Sequence, residues 1–212
     1  VNSGLADEMC GRYDNLIARD AYRGLFKANR LPKSNFPLRY NIAPTDQIPI
    51  VRIDPRDGER EVVMARWGLI PFWMKEKPKV PHINARAETV DRLPLFREAF
   101  AKRRCLIPAT GFYEWQQRED GKQPYRFRRK DLEPFAFAGI WEFARLAGEE
   151  VLSAAMIVGE PNRRNASASM PSYTSAIVAA CMPDGSSGDA DATNSSSTWT
   201  GRSAARKGPG GV

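Results

Sequence analysis

The sequence predicts an α+β fold with a mainly antiparallel, barrel-like β core and two or three flanking helices. Short apolar segments recur along most of the chain, separated by only a few residues. The separators carry turn chemistry: Asp57-Gly58, Asp120-Gly121 and Gly148 each stand between apolar runs. Helical periodicity is confined to two stretches, which fits a sheet-dominated core better than alternating βα units.

In chain order, residues 14–30 read as an amphipathic helix. Leu16, Ile17, Tyr22, Leu25 and Phe26 fall near one face, and Asp14 is a possible cap. Residues 31–47 form a proline-punctuated loop. "IPIVRI" and "REVVMARWGLI" flank "DPRDGE" and predict a hairpin. Residues 71–89 read as a long loop that mixes basic and aromatic side chains, and residues 93–103 as a short helix. "RCLIPATGFYEWQQ" and "QPYRFRRKD" make a second hairpin around "REDGK". "PFAFAGIWEFARL" and "VLSAAMIVGE" make a third around Gly148. From Arg163 the text turns to Ser, Ala, Gly, Thr and Asp, with hydrophobic periodicity left only in "AIVAACM". Such a stretch buries too little apolar surface to offset its ordering entropy. It reads as a flexible tail or as a gene read out of frame.

The 212 residues suit one domain. With 42% hydrophobic and 27% charged residues the chain has the balance of a soluble globular protein. No run approaches the roughly 18 apolar residues of a membrane span. The first residues lack a basic region followed by an apolar core, so a cytoplasmic location is expected. The net charge of +7 favours an anionic partner, nucleic acid being the commonest. The three cysteines, Cys10, Cys105 and Cys181, are scattered and share the chain with one histidine, His82. Neither a disulfide framework nor a zinc site follows, and no metal or cofactor is expected. Cys105 reads as a small core residue, and His82 as an exposed loop histidine.

Four stretches stand out: "MCGRY" at 9–13, "YNIAP" at 40–44, "INARAET" at 83–89 and "IPATGFYEW" at 107–115. Their ordered set resembles the SRAP family, the SOS response-associated peptidase proteins that attach to abasic sites in DNA. The family markers present are Cys10-Gly11-Arg12, Asn84-Ala85-Arg86-Ala87-Glu88 and Gly111-Phe112-Tyr113-Glu114-Trp115. A fourth, His-x-Arg-Met-Pro, is absent: Met170-Pro171 follows Ser167 and Ser169, where the family has histidine and arginine. The chain thus divides into an extension at 1–8, an SRAP-like catalytic and DNA-binding domain at 9–162, and an atypical tail at 163–212. A valine in first place is what a GTG start codon gives when translated literally, so 1–8 is expected to be an over-extended gene model or a segment that is removed. Either way Cys10 becomes the first residue.

An N-terminal cysteine is a 1,2-aminothiol, with an amine that titrates near 7.7–8 and a thiol near 8.5. The resemblance implies that both close onto the open-chain aldehyde of an abasic site in single-stranded DNA and form a thiazolidine. It also implies that Asn84 orients the sugar or the amine, and that Glu114 transfers protons. Read without the family, Asn84 is equally a turn-former, and Glu114 equally a surface residue of an alternating strand. Phosphate contacts are expected from Arg12, Arg39, Lys75 and Arg86. Trp67, Phe72 and Trp73 are candidates for stacking on bases, unless "RWGLIPFW" is a core strand running into a turn. Asn41 joins the DNA-binding set through the "YNIAP" marker. The partner is single-stranded DNA with abasic sites, the membrane is excluded, and the protein is expected to act as a monomer. The alternatives are an N-terminal-nucleophile glutamine amidotransferase, whose glutamine-binding motifs are missing, and a non-enzymatic binder of single strands.

Overall fold

The computed structural model describes residues 11–159, together with the backbone of three short strands farther on. Cys10, the marker position at Ser167 and the rest of the stretch after Gly159 lie outside the described residues.

The described residues form thirteen strands and two short helices. They are β1 (Arg12–Asn15), α1 (Ala21–Phe26), β2 (Arg39–Ile42), β3 (Gln47–Ile53), β4 (Arg60–Trp67), β5 (Asn84–Arg86), α2 (Arg97–Lys102), β6 (Arg104–Ala109), β7 (Gly111–Arg118), β8 (Gly121–Arg129), β9 (Phe135–Leu146), β10 (Glu149–Gly159), β11 (Ser175–Ala176), β12 (Val178–Ala179) and β13 (Trp199–Ser203). Strand dominates, as the sequence predicts, and the three expected hairpins are β3–β4, β7–β8 and β9–β10. At the last turn Ala147 and Gly148 both take positive φ, 47° and 89°. That is the backbone a tight two-residue hairpin loop demands, and glycine adopts it without steric cost.

The strands form two sheets. In the larger, β10 pairs with β4 on one edge and β9 on the other, while β3 and β6 complete the circuit β10-β4-β3-β6-β9. The circuit closes a five-stranded barrel, which removes the free edges of those strands. The β10–β4 contact is parallel; the other four are antiparallel. The second sheet, β13-β8-β7-β1-β2, packs against the barrel through Tyr13 and Phe112. Their rings meet Phe137, which also stands edge-on to Phe135 at 5.1 Å.

Two expectations need correction. The helix expected over 14–30 shrinks to Ala21–Phe26, because Asp14 and Asn15 are buried in β1. Asp14 is ion-paired to Arg126, and Asn15 Nδ2 donates to Pro108 O at 3.1 Å and to Tyr22 Oη at 2.7 Å. Partners distant in sequence outweigh a modest local propensity. The arm expected to run unbroken from Arg104 to Gln117 is two strands, and the chain changes sheets at Thr110. There the Thr110 hydroxyl is hydrogen-bonded to the Asp14 carboxylate and accepts the Leu16 amide. Cys105 is buried as expected, and burial pushes its thiol pKa well up.

Phe137 is fully buried among aromatic rings, whereas Phe143 on the same strand is 41% exposed. Phe137→Ala is therefore expected to cost about 3–5 kcal/mol in urea unfolding, and Phe143→Ala no more than about 0.5 kcal/mol. Equal losses would contradict this assignment of inward and outward faces.

Candidate active site

Asn84 begins β5, a three-residue strand inside what reads as a loop. β4 and β5 share one edge of β10, one after the other: Trp67 lies opposite Ala154 and Asn84 opposite Met156. The hydrogen bonds run on along this edge, from Gly68 N to Ala154 O and from Met156 N to Ile83 O. Trp67 Nε1 also donates to Ile83 O at 3.1 Å. Asn84 is thus fixed two β10 positions from Trp67, and its Oδ1 is buried.

The chain between them leaves the barrel as a loop. Its stem is closed by an antiparallel bridge between Leu69 and His82. Phe72 and Trp73 on this loop are each 51% exposed, Val80 is 73% exposed, and Lys75, Lys77 and Lys79 face solvent. Basic and aromatic side chains are interleaved at one rim, directly beside Asn84. Arg86, at the far end of β5, is exposed as well.

Trp67 corrects the sequence expectation. It is wholly buried, with its ring 5.2 Å from Tyr13 in an edge-on contact, and has no face to offer a base. Alternation already pointed there, since Val63, Ala65 and Trp67 share one face of β4 and pack in the barrel core. Arg39 is also committed elsewhere, in a 2.6 Å ion pair with Asp46.

Glu114 lies on β7. Phe112 packs inward against Phe127 at 5.3 Å, and Glu114, two residues on, shares that face. Its Oε1 is buried. β1 runs antiparallel to β7, with Arg12 opposite Tyr113 and Tyr13 opposite Phe112. β1 begins at Arg12, so the registered pairs end one position short of Glu114. On the outer face of the same strands Arg12 Nη1 donates to Asn41 Oδ1 at 2.8 Å, and Tyr113 Oη donates to Tyr40 O at 2.9 Å. The structure thus joins Arg12 with Asn41. It places Asn84 and Glu114 in different sheets, linked through the Tyr13–Trp67 contact. Among the described residues no group of His, Cys, Asp or Glu could hold a metal ion, and no helix is long and apolar enough to cross a membrane.

The fold is a closed five-stranded β-barrel covered by a second sheet, with an exposed aromatic and basic loop leading to Asn84 and a buried carboxylate oxygen at Glu114. The SOS response associated peptidase (SRAP) model matches residues 9–169, and the chain belongs to that family. It is 37% identical over 158 residues to the abasic site processing protein YoaM of Bacillus subtilis, covering 73% of this chain and 69% of that one. It is 32% identical over 146 residues to the abasic site processing protein YedK of Escherichia coli, covering 67% and 64%. A crystal structure of a protein from Bordetella bronchiseptica matches with a TM-score of 0.64 at 30% identity, over 80% of this chain and 83% of that chain.

His82, expected to be exposed, is half-buried at the loop stem, with its ring edge-on to Phe96 at 6.4 Å. Burial holds its pKa below the ordinary 6.5. The unfolded chain then binds a proton that the folded chain refuses. Stability is full above pH 6.5 and falls as pH drops from 6.5 towards the folded value. The single imidazole signal in proton NMR is expected to titrate with a midpoint below 6.5; a midpoint at or above it would contradict the burial.

Proposed function

We propose that this protein recognises abasic sites in single-stranded DNA and links to them covalently through Cys10. One observation supports the reading: β1, which starts two residues after Cys10, is registered on β7 with Arg12 opposite Tyr113, the residue next to Glu114. Membership of the SRAP family, whose relatives are abasic site processing proteins, supports abasic DNA as the substrate class. They favour this reading over the glutamine amidotransferase alternative.

The chemistry balances as follows. The amine of Cys10 adds to the aldehyde carbon of the opened sugar, and the resulting carbinolamine loses water to give an imine. The Cys10 thiolate then adds to the same carbon and the nitrogen takes up a proton. One C–N bond and one C–S bond replace the C=O bond, and one water leaves. Two steps need proton transfer at the leaving oxygen and at nitrogen. A carboxyl group on the inward face of β7 can serve both as acid and as base. Glu114 fills that role, and Asn84 holds the sugar or the amine by hydrogen bonds. Glu114 would likewise assist hydrolysis of the Met9–Cys10 peptide bond, which frees the amine.

Arg12 with Asn41, and Arg86, contact phosphates, while Trp73 and Phe72 stack on bases beside the lesion. Electrostatic contacts of this kind weaken steeply with salt. In this reading 9–162 acts as one unit on single-stranded DNA, as a monomer.

Cys10→Ala is expected to abolish the crosslink on a denaturing gel while reversible binding persists. Glu114→Gln should fold normally and crosslink roughly 10²-fold more slowly. Trp73→Ala should weaken binding by about tenfold, the worth of one base stack, without shifting the melting temperature. An undiminished crosslink in Cys10→Ala would overturn the reading, and wild-type kinetics in Glu114→Gln would return that residue to a structural role.

A further inference from the structure

One polar arrangement has no part in the chemistry above. Asp14 is fully buried in β1. Arg126 of β8 grips its carboxylate at two points, Nε to Oδ2 at 2.6 Å and Nη2 to Oδ1 at 3.0 Å, and the Thr110 hydroxyl bonds to Oδ1 as well. Yet β8 is not a neighbour of β1, because β7 lies between them. The ion pair spans the middle strand, and it does so at Gly111, the residue opposite Asp14. A Cβ at Gly111 would stand 2.9 Å from Asp14 Oδ2 and 3.0 Å from Arg126 Nε, too close to be tolerated without a shift. The glycine that opens "GFYEW" is where the bridge passes.

β1 needs such a fastening. It has four residues, three registered pairs with β7, and an irregularity against β2 between Tyr13 and Asn15. Short strands hold register weakly, and a slip of one residue exchanges the two faces. Here a slip would turn Tyr13 out of the core and shift Arg12 away from Tyr113. It would also strand a buried carboxylate without its cation, which is strongly unfavourable.

We propose that Asp14 and Arg126 are positioning residues for the reaction at Cys10: their ion pair over Gly111 locks β1, the strand that follows Cys10, in its register on β7 beside Glu114. The catalytic half of this proposal rests on Cys10 being the nucleophile. Asp14 and Arg126 lie on the opposite face of the sheet from Glu114 and touch no reacting atom.

The test uses the full chain carrying Arg126→Gln, Arg126→Lys or the neutral pair Asp14→Asn with Arg126→Gln. The neutral pair leaves no uncompensated charge and guards against a single variant that fails to fold. Three quantities are read: affinity for a single strand bearing a tetrahydrofuran abasic analogue, which has no aldehyde; the first-order rate of crosslinking at saturating abasic DNA; and hydrogen exchange at the β1 amides. Loss of register is expected to slow crosslinking about tenfold to a hundredfold, as small misplacements of reacting groups do. Affinity should stay unchanged and β1 exchange should accelerate. Arg126→Lys keeps the charge but loses the two-point grip, so it should fall between wild type and Arg126→Gln. The neutral pair should melt closer to wild type than Arg126→Gln does, yet remain slow. A wild-type rate in a folded variant overturns the proposal. So does a rate loss matched by an equal loss of affinity, which would make Arg126 a phosphate contact, and so does unchanged β1 exchange. If Cys10→Ala crosslinks like wild type, the nucleophile reading and the catalytic half of this proposal fall together. The exchange measurement still decides, independently, whether the ion pair sets the register.

Discussion

Strand β10 is hydrogen-bonded along both edges, and the site depends on that constraint. One edge takes β9 over eight registered pairs, from Glu149–Leu146 to Met156–Gly139. The other takes β4 and then, after a gap of one residue, β5. The first pairing closes the barrel. The second sets Trp67 and Asn84 about 7 Å apart along one strand, at the rise of roughly 3.3 Å per residue. Leu69 and Ile70 stay buried after Trp67, and the chain from Phe72 to Val80 then runs outward as a loop with fixed feet. Phe72, Trp73 and the three lysines are exposed because β10 has no further edge to offer that segment.

A second consequence follows from the corner at Thr110. β6 belongs to the barrel, while β7 belongs to the sheet that covers it. Tyr13 and Phe112 fill the gap between the two sheets with aromatic surface, and Glu114 continues the same inward face one step beyond them. The Oε1 atom of that carboxyl group is buried. Electrostatic interactions gain strength as water is excluded, which is why the proposed reading gives this carboxyl group the proton transfers. The buried Asn84 oxygen stands on the barrel side of the same aromatic seam.

Much of this was legible in the sequence. Turn chemistry marked the three hairpins, and the ordered motifs pointed to Asn84 and Glu114 as the polar groups worth following. The inward direction of Glu114 was also readable, since Phe112 and Glu114 share a period of two while Gly111, Tyr113 and Trp115 take the other face. The same rule places Trp67 with Ala65 in the core, a signal that the reading of "RWGLIPFW" as a base-contact stretch passed over. What no local pattern shows is the pairing of residues far apart in the chain. Asp14 looks like a helix cap until Arg126, 112 positions away, claims its carboxylate. The three residues of β5 are strand only because β10 supplies an edge, and neither proline spacing nor composition announces that.

The most direct measurement is peptide mapping by mass spectrometry of the isolated DNA–protein adduct, formed without any reducing agent. The aminothiol chemistry predicts a modified peptide that begins at Cys10. It should carry the sugar remnant with the loss of one water, and its sulfur should resist alkylation. A sugar remnant on a lysine, stable only after borohydride reduction, would contradict it. So would a modified peptide in which Cys10 still follows Met9.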